Sequence, residues 1–264
     1  MKVLVTVTEV AEVEDDFEID GLGVDDRYLE YDLNEWDDYA VEAAVQISEA
    51  RSDVEVVGVT IGPERSEETI RMALAKGADR AVRVWDDAIA DRELLDVDAK
   101  VQLLSAVVAE EAPDLVLSGV QAADDGFGAT GVALADDVGF EHAAVVNDLE
   151  LSDDAATASV RRELEGGVEE LTEVDLPAVL TIQTGINEPR YASLRGIRQA
   201  QQKEIAVRDL ADLGVDADAV AGDLRLTDVY EPESESDATI FEGDAEEAAG
   251  ELAEVLRETG VVGE

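Results

Sequence analysis

Cysteine is absent from all 264 residues, which excludes disulfides, thiolate metal ligands and a cysteine nucleophile, so any redox chemistry must come from a bound cofactor. The one histidine, His142, cannot complete a His-based metal site, and its place beside Gly139 reads as a surface or loop position rather than a general base. Ser118 and Ser193 lack any recognisable activating partners, so no catalytic residue and no metal site is assigned. Positive charge is scarce as well: 19 Lys and Arg against 66 Asp and Glu give a formal charge of -47. A polyanion is poorly suited to nonspecific nucleic-acid binding. No apolar run is long enough to span a bilayer, and residues 1–10 read as a strand rather than a signal region. A soluble, intracellular protein is expected.

What is present is apolar content, 46% of the chain. That argues for a folded body carrying its acids on the surface, as in a salt-rich cytoplasm of a halophilic prokaryote where screening reduces self-repulsion. Apolar, valine-rich runs at 2–8, 53–60, 79–85, 114–118 and 177–183 predict strands. Between them, 36–50, 66–75, 97–111 and 128–137 carry helix-period apolar residues. The alternation predicts an α/β fold with a doubly wound, mostly parallel sheet covered on both faces. Asn34 stands where it can cap the first helix, Ser66 with Glu67 and Glu68 where it can open the second, and Gly77 where it can end it. From 145 to 174 the pattern shifts to short strands, and 155–163 and 168–174 flank Glu165, Gly166 and Gly167 as an antiparallel edge hairpin. A linker with Pro232 and alternating Glu and Ser then leads to an amphipathic helix at 245–256, part of an acidic tail. We divide the chain into a main domain, 1–225, and a C-terminal extension, 226–264.

The run 114–131, DLVLSGVQAADDGFGATG, reads as a buried strand, a glycine-bearing turn and a helix start, the arrangement that binds phosphate through helix N–H groups. Small residues permit close backbone approach, and Thr130 offers a hydroxyl and an amide. The other reading is an ordinary turn, with Gly128 easing helix entry and Asp124 or Asp125 capping. GxGxxG and GxxxxGK[ST] are both missing, as is a nearby lysine, so AMP or the adenosine end of a dinucleotide fits better than a hydrolysed triphosphate. Val7, Thr8, Thr60, Gly62, Gly119 and Gln121 lie at strand ends on the same side of a parallel sheet and are candidate ligand contacts. A second unusual run, 187–203, holds Arg190, Arg195, Arg198 and Lys203 with no acid between Pro189 and Lys203, which points to an anionic cofactor or an acidic partner face. Tyr191 and Leu194 either anchor this loop on the core or face solvent as interface anchors. Arg190 either donates to a cofactor phosphate or ring oxygen or forms a surface ion pair, and Trp36 is either core or close to an aromatic cofactor.

Taken together, NEWDDYAVEAA, ALAKGADRAV, PDLVLSGVQAADDGFGATG, RRELEGGVEE and LPAVLTIQTGINEPRYASLRGIRQAQQK resemble the beta, or small, subunit of electron transfer flavoprotein over residues 1–210. The resemblance implies a Rossmann-like, adenine-nucleotide-binding fold in a heterodimer whose alpha subunit holds most of a redox FAD. It implies AMP in this chain, or a second FAD in an electron-bifurcating relative. Val7, Thr8, Asn34, Thr60 to Gly62, Gln121, Asp124, Gly128, Thr130 and Gly131 map to nucleotide contacts. Trp36 replaces the family's usual phenylalanine near the alpha-bound flavin, and Glu35 replaces a proline. Thr8 and Glu9 replace a lysine and a Gln or Arg, removing positive charge near the nucleotide. Leu194 takes the place of the leucine that anchors the partner-recognition loop, 187–198, so Tyr191, Leu194, Arg195, Ile197 and Arg198 become partner contacts. Electrons would pass from flavoprotein dehydrogenases to a membrane-associated quinone oxidoreductase, from a cytoplasmic location transiently at the inner membrane face. The C-terminal helix would dock on the alpha subunit. A nucleotide-binding regulatory protein of the stress type shares the core and stays open as another reading.

Overall fold

A computed structural model describes residues 1–92, 94–231, 239–241 and 243–261. The chain runs β1 (Lys2–Thr6), β2 (Glu9–Val13), β3 (Ile19–Asp20), β4 (Gly23–Val24), β5 (Leu29–Leu33), α1 (Glu35–Ala50), β6 (Glu55–Ile61), α2 (Glu67–Lys76) and β7 (Arg80–Val84). It continues through α3 (Asp87–Ala90), α4 (Val97–Glu111), β8 (Leu115–Gly119), α5 (Thr130–Val138), β9 (Glu141–Leu151), β10 (Thr157–Leu164), β11 (Val168–Asp175) and β12 (Ala178–Ile182). α6 (Leu194–Ala200), β13 (Ile205–Arg208), α7 (Leu210–Leu213) and α8 (Ala245–Glu258) complete it. Two compact units result, Met1–Val229 and Tyr230–Glu264.

One nine-stranded sheet has the order β11-β10-β9-β12-β8-β1-β6-β7-β13. From β9 to β13 every pairing is parallel, and β10 and β11 are antiparallel. The fold is therefore α/β, mostly parallel, with the hairpin at one edge. Alternation along the strands divides the core in two. Val3 and Val5 of β1 face a cluster that includes Val41, Leu74 and Ala200, from α1, α2 and α6. Leu4 faces the opposite cluster, which includes Leu103, Leu134 and Leu210, from α4, α5 and α7. Both faces are thus covered, which is why the central strands are apolar throughout. Because the chain builds β6 and β7 on one side of β1 and then returns to place β8 on the other, the carboxyl ends of β1 and β8 form the crevice where such sheets bind ligands.

Several expectations are corrected. The first strand stops at Thr6, and Glu9 opens β2, which pairs with β5 in a separate antiparallel ribbon. α5 begins at Thr130 rather than at residue 128, so neither Asp124 nor Asp125 caps it. His142 lies exposed within β9, beside Val179 of β12, rather than in a loop. The edge strand β13 is an addition. The Pro232 linker lies outside the described residues. α8 is opened by a capping box in which the Asp244 carboxylate accepts from the Glu247 N–H and the Glu247 carboxylate accepts from the Asp244 N–H. No helix among the described residues is long and apolar enough to cross a membrane.

Near the amino ends of β1 and β7, remote from the crevice, Arg80 grips Glu111 at 2.7 and 2.5 Å while Lys2 adds a bond of 2.9 Å. These cations hold the Glu111 carboxyl down at about 2, with Arg80 the larger influence and burial opposing it. A carboxyl depressed in the folded state stabilises above its unfolded pKa, and that contribution disappears as pH falls through the folded value. Glu111→Gln is expected to lose on the order of 2 kcal/mol at pH 7. Urea unfolding at several pH values should show this deficit narrowing below pH ~4.5 and vanishing near pH ~2.

Candidate functional site

The crevice at the ends of β1 and β8 opens into a cleft lined from β1, α1, β6, α4, β8 and the turn into α5. Of the residues singled out from the sequence, Thr8, Asn34, Gly119, Gln121, Gly128, Thr130 and Gly131 line it. Asp37 organises the entrance. It lies in the first turn of α1 and is buried, its Oδ1 accepting from Thr6 Oγ1 at 2.5 Å and from the Gly119 N–H at 2.8 Å. Its Oδ2 accepts from the Thr8 N–H at 2.8 Å. One carboxylate thereby ties the ends of β1 and β8 to the start of α1.

Asn34 occupies the N-cap position but makes no side-chain cap bond. Its Nδ2 instead donates to the Gln121 carbonyl at 2.9 Å, and its Oδ1 accepts from the Ala123 N–H at 3.3 Å. The side chain sequence reasoning assigned to the helix thus holds the turn after β8. Ser66 likewise makes no cap bond and donates to Glu9 Oε1 at 3.0 Å. That carboxylate also pairs with Arg65 at 3.0 Å. Glu9 does not line the cleft, and its charge is compensated by Arg65.

Opposite Asp37, the turn runs into α5. The N-cap of α5 is Ala129, which offers no side-chain acceptor, so the first N–H groups of a nine-residue helix are left without a side-chain cap. Gly128 has φ +62, the region favoured by glycine. A Cβ on Gly131 would come within 2.5 Å of Ser118 Oγ and 2.6 Å of Thr181 Cγ2, so only glycine gives this close approach. Ser118 is buried and its Oγ has no hydrogen-bond partner. Uncapped amides, small residues and an unpartnered buried hydroxyl on one wall fit the phosphate and ribose side of an adenylate.

Sequence reasoning missed Lys100, which enters the cleft from the first turns of α4 and pairs with Asp125 of the turn. Its signal was only a lone cation four residues after Asp96, which caps α4 through the Ala99 N–H at 3.0 Å. Asp124 lies exposed outside the cleft lining, and its carboxyl is raised by desolvation from surrounding atoms and then by the charge of Asp125. Val7 is buried, and Thr60 donates to the Val7 carbonyl at 2.6 Å, so both support the β1–β6 edge of the cleft. Gly62 follows β6 and donates its N–H to the Val84 carbonyl at 3.1 Å. Trp36 is half-buried outside the cleft, donating to Gln183 Oε1 at 3.1 Å.

The second cluster lies on a different surface. Tyr191 is 98% exposed, Leu194 78% and Ile197 41%, with Arg195 and Arg198 exposed beside them. Arg190 stands apart from the cleft, pairing with Glu42 at 2.7 Å and Glu49 at 2.6 Å, so these carboxylates engage the donors assigned to a cofactor. Burial raises the Glu42 carboxyl, but hydrogen bonds from Arg190 and Gln46 outweigh it and leave the carboxyl below its ordinary value.

The family model for the electron transfer flavoprotein domain matches residues 21–213. The chain is 47% identical over 264 residues to the electron transfer flavoprotein subunit beta of Methylophilus methylotrophus, covering 98% of each. It is 38% identical to the mitochondrial subunit beta of Oryza sativa subsp. indica, covering 88% of this chain and 90% of that one. To the subunit beta of Bacillus subtilis (strain 168) it is 30% identical over 97% of this chain and 98% of the other. With a model spanning most of the main body and relatives matched nearly end to end, this chain belongs to the beta subunits of the electron transfer flavoprotein family.

Proposed function

We propose that this chain is the nucleotide-holding half of a heterodimeric electron carrier, with AMP in the β1–β8–α5 cleft and an alpha subunit bearing most of the FAD environment. The observation that carries the reading is the uncapped start of α5 at the sheet's switch point, facing an unpartnered buried hydroxyl. Thr130, Gly131 and the amides following Gly128 hold the phosphate, with Lys100 as its counter-charge. Asn34 and Gln121 border the ribose, and the chain around Val7, Thr8 and Thr60 to Gly62 borders the base. Trp36 lies toward the alpha-bound flavin.

FAD supplies the redox chemistry when bound. This chain needs no nucleophile or general acid, because its residues position the cofactors and the partner. Tyr191, Leu194 and Ile197 form the apolar centre of a docking surface, and Arg195 and Arg198 favour a partner with acidic groups around its pocket. Flavoprotein dehydrogenases donate electrons there, and a membrane-associated quinone oxidoreductase receives them. Residues 226–264 dock on the alpha subunit.

Calorimetric titration of the nucleotide-stripped heterodimer tests the cleft. Lys100→Gln is expected to weaken AMP about tenfold, equivalent to ~1.4 kcal/mol, and to leave adenosine unchanged. Equal AMP affinity in the variant would remove Lys100 from the site, and no AMP binding in either protein would refute the cleft assignment. One flavin and one AMP per heterodimer are expected; two flavins would make the complex a bifurcating one.

A further inference from the structure

Arg190 spans one face of α1. Its Nε and Nη2 donate to Glu42 at 2.7 and 3.0 Å, its Nη1 and Nη2 donate to Glu49 at 2.6 and 2.9 Å, and its backbone N–H reaches Glu42 at 3.2 Å. Glu42 is held in turn by Gln46 at 2.8 Å, and its side chain is only 4% exposed. Three residues earlier, Asn187 Nδ2 donates to the Tyr39 carbonyl at 3.0 Å. The far end of the segment is fixed on α2. A Cβ on Gly196 would lie 2.3 Å from the Ala75 carbonyl oxygen, Arg71 donates to the carbonyls of Ala200 and Lys203 at 2.6 and 2.7 Å, and Lys203 donates to that of Leu74 at 3.0 Å.

Between these fixed ends stand Tyr191 and Leu194, among the most exposed large apolar residues described. Anchoring the chain on both sides compensates buried Glu42 but adds no apolar burial at Tyr191 and Leu194 for the isolated fold. It does lower the ordering cost of binding, because a segment already in its bound shape loses less freedom on docking. The side-chain chemistry is specific: a planar guanidinium bonds two carboxylates seven residues apart on a helix, whereas an ammonium is a point charge without that fork.

We propose that Arg190 is a positioning residue that pre-organises the Tyr191–Leu194 turn for a partner flavoprotein, rather than a cofactor ligand. The inference rests on the docking surface described above. It is tested on the intact heterodimer with Arg190→Gln, using amide hydrogen exchange and, as probe, a flavoprotein dehydrogenase first shown to reduce the wild-type complex. Exchange at 190–197 should rise at least about tenfold, and the KM for the dehydrogenase should rise roughly 5- to 10-fold with kcat and flavin content unchanged. Arg190→Lys should recover only part of this. In a Leu194→Ala background, Arg190→Gln should add little, because both changes act on one contact. If loss of the cation leaves buried Glu42 uncompensated and prevents assembly, the Glu42→Gln, Arg190→Gln double variant removes that charge and is measured in its place. Unaltered exchange, or fully multiplicative effects with Leu194→Ala, would overturn the proposal. Should Leu194→Ala itself leave the KM unchanged, the docking surface is wrong, while the exchange data still decide whether Arg190 orders the turn.

Discussion

Replacing Asp37 with alanine is expected to lower stability by about 3 to 5 kcal/mol and to release bound adenylate. The buried carboxylate accepts from Thr6 and Gly119, the last residues of β1 and β8, and from Thr8 just beyond β1. Hydrogen bonds to a charged acceptor contribute more than neutral ones, and alanine would leave two backbone N–H groups without their acceptor. The ends of β1 and β8 would then separate from α1, and the nucleotide would lose the wall formed by Thr8, Gly119 and Gln121. Asp37→Asn keeps the shape and part of the bonding, so a loss of about 1 to 2 kcal/mol is expected. Denaturant midpoints and adenine content of the purified complex measure both effects. A wild-type midpoint with retained adenylate in Asp37→Ala would show that this carboxylate does not organise the site.

Leu194→Ala should do the reverse, sparing the fold and impairing the interaction. The residue is 78% exposed, and a surface change of this kind normally shifts stability by less than ~0.5 kcal/mol. As the central apolar anchor of a docking surface, its truncation should cost ~2 kcal/mol of transition-state affinity, or about a 30-fold drop in kcat/KM. The loss should appear at subsaturating dehydrogenase and shrink when the dehydrogenase is in excess. Stopped-flow reduction of the bound flavin measures it. Unchanged kcat/KM, or loss of flavin from the complex, would contradict a docking role.

The central fold was legible because its parallel strands are buried on both faces and therefore read as valine- and leucine-rich runs. The helix at 97–111 was legible because its apolar residues recur at helix spacing. β9 was only partly legible because it shows little alternation: Ala143 and Val146 are buried, while Val145 has φ +62 at a register shift against β12. The β2–β5 ribbon was hidden because acidic residues occupy much of it and only Val10 is buried. At the site, Gly128, Thr130 and Gly131 could be read locally, since a turn feeding a helix leaves its mark in consecutive residues. Asp37, Lys100 and Ser118 could not. Asp37 is one of several acids in the first turn of α1, where any acid is favourable, and Lys100 meets Asp125 only through tertiary packing. Arg190 was ambiguous because a guanidinium suits phosphate and carboxylate equally well, and only packing against α1 supplies Glu42 and Glu49.

Amide hydrogen exchange of the nucleotide-stripped heterodimer, followed through a titration with AMP, tests the cleft most directly. Saturable protection of residues 119–132, complete at one AMP per complex, is the predicted result. Saturation with those amides unchanged, or protection confined to another surface, would contradict it.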